Sequence, residues 1–198
     1  MQERLNKILV TGAGGYIGTV IVPELLSYGY KVTAVDRFFF GEDKLPDHPN
    51  LIKVRTDTRH TYPILFAEVD AVFDLAALSN DPSGDHFPDS TWSINHDARI
   101  RNAELAKRCG VKRYLFPSSA SVYGFNSSKV KEKASTAPLT HYARANLSAE
   151  EDILKLGTSD FCVTVLRQAT VYGYSPRMRL DLVLNAMVFY ALRTNRLK

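Results

Sequence analysis

The chain has 198 residues, room for one domain of ordinary size, and its 45% hydrophobic and 23% charged content is that of a globular fold in water. No apolar run reaches the ~20 residues of a membrane span, and the polar start Met1-Gln-Glu-Arg-Leu-Asn6 is not a signal peptide, so a cytoplasmic protein is expected, without a membrane partner. The formal charge of +4 is mild and scattered, which suits an anionic small ligand and argues against nucleic acid.

Lys7 to Thr11 read as a short buried strand, apolar without a break at Ile8, Leu9 and Val10. Gly12, Gly15 and Gly18 follow at a spacing of three, and Thr19 to Tyr28 has helical apolar periodicity. A strand that feeds a glycine turn opening a helix leaves backbone N–H groups at the positive helix end, where a pyrophosphate binds. A second strand, Lys31 to Asp36, ends in a carboxylate eighteen residues after Gly18, near the ~20 at which such folds hold an adenosine ribose. The phenylalanines at 38, 39 and 40 pack either beside an adenine or in the core. Leu51 to Arg55 is a third strand. Asp57, beside Thr58, either receives an adenine amino group or caps the turn that follows.

Ala71 to Ala77 is a fourth apolar strand whose small Ala76 and Ala77 let a ligand approach the backbone. Residues 79 to 90 read as a polar loop of the kind that carries specificity. A long helix is expected from Thr91 to Cys109, closed by Gly110. Lys112 to Phe116 is strand five, running into Pro117-Ser-Ser-Ala-Ser-Val-Tyr-Gly124; a solvated loop covers 125–137. A second long helix runs from His141 to Leu156, Phe161 to Leu166 is strand six, and Arg179 to Leu192 is a final amphipathic helix. Alternating strands and helices argue a parallel, doubly wound α/β sheet with right-handed crossovers. Cys109 and Cys162 are expected as buried free thiols, and His48, His60, His86, His96 and His141 show no metal-ligand spacing, so no metal is expected.

The hydroxyls of residues 118–121 fall at the carboxyl end of a central strand, where open α/β sheets bind ligands, and Tyr142 and Asn146 share one helix face. Thr11-Gly12-x-x-Gly15-x-x-Gly18, Asp36, Asp74-Leu-Ala-Ala77, Ser118-Ser-Ala-Ser-Val-Tyr-Gly124, Tyr142 and Arg167-Gln-Ala-Thr-Val-Tyr-Gly173 together resemble the extended short-chain dehydrogenase/reductases. Within them the chain is most similar to the NAD-dependent epimerase/dehydratases of nucleotide sugars. The resemblance implies a Rossmann-type sheet in order 3-2-1-4-5-6 over residues 1–178, with 179–198 opening a substrate lobe that is largely absent. It implies NAD, contacted by Gly12, Gly15, Tyr16, Ile17, Gly18, Asp36, Arg37, Asp57, Thr58, Leu75, Ala76, Ala77, Asn95, Tyr142, Asn146 and Gln168. Ser79, Asn80, Ser121 and Arg179 are the substrate candidates, and a homodimer through the two long helices is implied.

In that family a hydroxyl on strand five and a tyrosine on the next helix act on the sugar hydroxyl; Ser119 and Tyr142 match them. Ala120 and Ser121 stand where the 4,6-dehydratase branch carries an acidic pair, which favours epimerisation over dehydration. The family's Tyr-x-x-x-Lys reads Tyr142-Ala-Arg-Ala-Asn146 here. Asn146 retains hydrogen bonding toward the ribose without the charge that draws a tyrosine down from its ordinary pKa near ~10. The oxidised nicotinamide is then the expected remaining cation. An NAD-dependent sugar-nucleotide dehydrogenase or reductase, and a non-catalytic NAD-binding protein, are the alternative readings.

Overall fold

Six strands lie parallel in one sheet in the order β3-β2-β1-β4-β5-β6. They are β1 (Lys7–Thr11), β2 (Lys31–Asp36), β3 (Leu51–Arg55), β4 (Ala71–Asp74), β5 (Arg113–Ser119) and β6 (Cys162–Gln168). This computed structural model describes residues 5–196; Met1 to Arg4 of the polar start, and Leu197 and Lys198, lie outside them. The apolar run of β1 sits at the middle of the sheet because it is covered on both faces. Ile8 and Val10 pack with Val22, Leu25, Leu26 and Val32 on one side. Leu9 packs on the other with Phe66, Val72, Phe116 and Ile153. Thr11 is in register with Val35 of β2 and Asp74 of β4, so these three strands end level, and the loops after them open on one cleft.

The helices are α1 (Gly18–Ser27), α2 (Asp81–His86), α3 (Pro88–Trp92), α4 (Ala98–Arg108), α5 (His141–Lys155) and α6 (Val183–Thr194). The expected 79–90 loop contains α2: the Asn80 side chain accepts from Ser83 N at 2.8 Å and caps it. Its Pro, Ser and Gly read as turn chemistry, yet Pro82 falls in the first turn, where a missing N–H costs nothing. The long helix begins at Pro88 rather than Thr91, and between α3 and α4 it widens into one π turn, Ser93–Asp97. The final helix starts at Val183, four residues later than periodicity indicated, because Arg179 and Asp181 pair with each other instead.

β6 is the outer strand beyond β5, and its residues alternate between exposed and half-buried. Cys162 is therefore exposed and Cys109 half-buried, both free, which corrects the expectation of buried thiols. Val183, Val188 and Leu192 of α6 are exposed. Among the described residues no helix is long and apolar enough to cross a membrane.

Candidate active site

The glycine turn connects β1 to α1 with Gly12 at φ +65°, and a Cβ there would lie 2.7 Å from the Ala76 nitrogen. Only glycine lets the two loops meet this closely. Thr11 knits them from below: its hydroxyl donates to Asp74 at 2.5 Å, and it accepts from Ala76 N at 3.1 Å. The Thr19 and Ile21 amides are taken by the carbonyls of Gly15 and Ile17, at 3.0 Å each, and α1 opens on the cleft at Gly18. Asp36, at the end of β2, accepts from Gly14 N at 3.0 Å on one oxygen and from Phe38 N at 2.7 Å on the other. Those bonds fix the carboxylate at the rim, and each oxygen keeps a further lone pair for a ligand hydroxyl.

Arg37 stacks 4.2 Å above the Phe39 ring and donates to Asp57 at 3.1 Å. Asp57 also accepts from Arg59, through Nε at 2.9 Å and Nη2 at 2.7 Å, and caps the turn Thr58–His60. The Arg59 hydrogen bond is the main reason its carboxyl sits at about 2. Its position at the cleft and its capping role thus coexist. Phe38 is core, whereas Phe39 and Phe40 line the cleft, Phe40 beneath Arg177 at 3.8 Å.

The opposite wall comes from β5 and α5. Ser119 ends β5, and its Oγ accepts from Ser121 N at 3.1 Å, so the hydroxyl is held at the strand's carboxyl end. Thr140 caps α5 by accepting from Ala143 N at 3.1 Å and donates to Asp81 of α2. Tyr142, in the first turn of α5, faces the cleft; α2 packs on its base, and a Cβ on Gly84 would come within 2.8 Å of the Tyr142 Cβ. Below, Glu150 is buried and paired with Arg167 at 2.7 Å, tying α5 to β6.

The cleft has a volume of about 1130 Å³. It brings together Gly12, Gly15, Tyr16, Ile17, Gly18, Asp36, Arg37, Asp57, Thr58, Leu75, Ala76, Ala77, Gln168, Ser79, Asn80, Ser119, Ser121, Tyr142 and Arg179. Arg179 donates to the Ser79 hydroxyl at 3.0 Å, closing one end. Two of the sequence-derived positions lie behind the wall. Asn95, fully buried in the π turn, both accepts from Leu78 N and donates to Leu78 O at 2.9 Å, pinning the loop after β4. Asn146 is 1% exposed, and its Nδ2 donates to the Tyr142 carbonyl at 2.8 Å. Its Oδ1 accepts from Arg99 at 2.7 Å. Arg99, Asp81 and Glu150 went unnoticed in the sequence. A charged residue within a predicted helix reads as a solvated face, and only tertiary packing buries Arg99 and Glu150. Asp81 lies in a stretch that reads as a loop, and it lines the cleft. Among the described residues no group of three His, Cys, Asp or Glu side chains is arranged to hold a metal.

The model of the NAD dependent epimerase/dehydratase family matches residues 8–194. YtcB of Bacillus subtilis (strain 168), described as an uncharacterized UDP-glucose epimerase, is 32% identical over 92% of this chain and 61% of its own length. The solved structure of MoeE5 in complex with UDP-glucuronic acid and NAD is 35% identical and superimposes with a TM-score of 0.82, covering 95% of this chain and 62% of that one. The UDP-N-acetylglucosamine 4-epimerase of Methanobrevibacter ruminantium M1, in complex with UDP-N-acetylmuramic acid, is 27% identical with a TM-score of 0.88, over 96% of this chain and 64% of that one. The chain spans about three fifths of the length of these relatives. With its glycine turn, its Asp36 rim and its Ser119–Tyr142 wall in one cleft, the chain belongs to the NAD dependent epimerase/dehydratase family.

Proposed function

We propose that this chain is the cofactor-binding and catalytic part of an NAD-dependent nucleotide-sugar epimerase. The observation that carries the reading is that Ser119 and Tyr142 stand at the carboxyl end of β5, in the same cleft as the glycine turn and Asp36. That cleft exceeds the ~300–1,000 Å³ of ordinary small-ligand pockets, as a dinucleotide beside a sugar nucleotide requires. The turn at Gly12 to Gly18 and the α1 N-terminus hold the pyrophosphate, and Asp36 accepts from the adenosine ribose hydroxyls. A 2′-phosphate would meet the Asp36 charge, and the adjacent Arg37 is already engaged with Asp57, so NAD is favoured over NADP.

When bound, NAD supplies a reversible hydride acceptor. Tyr142 as phenolate takes the proton from a sugar hydroxyl and gives it back after the carbon has been inverted. Ser119 donates to the same oxygen and keeps it over the reacting face. Ser79, Asn80, Ser121 and Arg179 orient the nucleotide sugar at the cleft mouth. Residues 1–178 serve as the cofactor domain and 179–198 as the start of the substrate region. A homodimer through α4 and α5 and a cytoplasmic location complete the reading; a concentration-independent monomer in light scattering would remove the dimer.

The test is a panel of UDP-sugars incubated with the chain and catalytic NAD, followed by NMR and by absorbance of the reduced cofactor. Interconversion of isomers without net reduction supports the epimerase. Stoichiometric reduced cofactor identifies a one-way dehydrogenase instead. NAD binding without turnover, in a version extended to the length of its relatives, identifies a non-catalytic binding protein, a reading that the buried, uncharged Asn146 favours.

A further inference from the structure

We propose that Arg99 is the cation that supports the Tyr142 phenolate, set in place by Asn146; this rests on the reaction proposed above. Arg99 lies one turn beyond Asn95, where the chain leaves the π turn for α4, and is 2% exposed. Its Nη1 donates to Asn146 Oδ1 at 2.7 Å and to the Asn95 carbonyl at 3.4 Å. Its guanidinium carbon sits 4.5 Å above the Phe116 ring. Asn146 in turn donates to the backbone carbonyl of Tyr142 at 2.8 Å. One neutral side chain thus joins the guanidinium to the residue that bears the phenol.

The guanidinium is also incompletely satisfied. Its Nε has no hydrogen-bond partner, and among the described residues no carboxylate contacts it. Asp74, its main electrostatic counterpart, also accepts from the hydroxyls of Thr11 at 2.5 Å and Tyr114 at 2.6 Å. Asp74 is the first charge that compensates the buried guanidinium, and a negative charge arising at Tyr142 would add to it. Burial loosens the Arg99 proton, while Asp74, then Tyr142 and Tyr114, tighten it.

The other charges around α5 do not supply this support. Packed on the Tyr142 base, α2 brings the carboxylates of Asp81, which accepts from Thr140, and Asp85, which accepts from His141 N at 3.1 Å. Both oppose a phenolate. His141, on the same helix, accepts from Trp92 through Nδ1 at 3.3 Å. The π turn contributes His96, tied to Asp97 and Asp152, α3 contributes Asp89, and β6 contributes Arg167, tied to Glu150. β5 ends in hydroxyls.

The experiment follows the Tyr142 ring by NMR in the chain labelled with 13C-tyrosine, its signal assigned through Tyr142→Phe, and titrates pH with and without NAD. Arg99→Met and Arg99→Gln, which remove the charge, are expected to raise the Tyr142 midpoint by about 1 unit or more. Arg99→Lys should leave it near the parent value, and adding Asn146→Lys to Arg99→Met should bring it back down. An unchanged midpoint in either neutral variant, with NAD affinity retained to show that it is folded, overturns the proposal. The titration reads the coupling without turnover. If Tyr142→Phe is found to be harmless to turnover, the proposed reaction fails while the Arg99 result stands on its own.

Discussion

The glycine turn builds its half of the cleft from backbone, and the Tyr142 corner builds the other half from side chains. At the turn, Gly12, the α1 N-terminus and the Ala76 amide approach one another within van der Waals distance, with Thr11 and Asp36 holding them by hydrogen bonds. At the corner, α2, α4, α5 and β5 each contribute one or two side chains to the wall that carries Tyr142. The difference teaches where substitution is tolerated. A backbone site has no room for a Cβ, whereas a side-chain site admits a different residue provided the charge still arrives beside the reacting group.

The largest expected effect breaks the corner alone. Tyr142→Phe removes the proton acceptor and should lower kcat by roughly 10²–10⁴-fold, while calorimetry finds NAD affinity nearly unchanged. Gly12→Ala breaks the turn alone. It forces a Cβ into the Ala76 nitrogen at φ +65°, at about 2–3 kcal/mol, and NAD affinity should fall more than tenfold. Asp36→Ala sharpens the comparison: the turn loses a side chain that holds its backbone at Gly14 and Phe38. NAD should then bind roughly tenfold more weakly, NADP being less affected, since each charge-assisted bond carries about 1.5–3 kcal/mol.

The smallest effect concerns pH. Asp57 titrates at about 2 against an ordinary 3.8, held down chiefly by the Arg59 hydrogen bond. Its depressed value means that it adds stability above pH ~4, and this is lost as pH falls from ~4 through about 2. Replacing it by Asn should flatten that part of a denaturation profile by about 1 kcal/mol or less, as for a pair near the surface. A flattening confined to higher pH would mean that another carboxylate governs the acid limb.

The turn half was legible in the sequence because everything that defines it is local. Strands 7–11, 31–36 and 51–55 have their expected bounds, and the glycine spacing and the Asp36 offset fall inside thirty residues. The parallel sheet follows from uninterrupted apolar runs separated by helical segments, and the order of its six strands is what the family resemblance implies. The corner was only half legible. Strand end and helix face make Ser119 and Tyr142 candidates and the family resemblance singles them out, but the fate of Asn146 depends on a residue 47 positions away. The family resemblance assigns Asn146 to a ribose; a buried guanidinium, which no periodicity marks, takes its Oδ1 instead. Likewise α2 was hidden because Pro82 and Gly84 look like turn residues, whereas Pro82 starts a helix and Gly84 leaves space for the Tyr142 base.

The central claim is a reaction by transient oxidation, and isotope retention tests it most directly. A UDP-sugar deuterated at every ring carbon would be incubated with the chain, extended to the length of its relatives, and catalytic NAD, and the product read by NMR. The account predicts an epimer that keeps all its deuterium, because the hydrogen removed from the inverted carbon is held on the cofactor and returned to the same carbon. Solvent hydrogen at the inverted carbon would contradict it, since that outcome requires removal of the carbon's hydrogen as a proton.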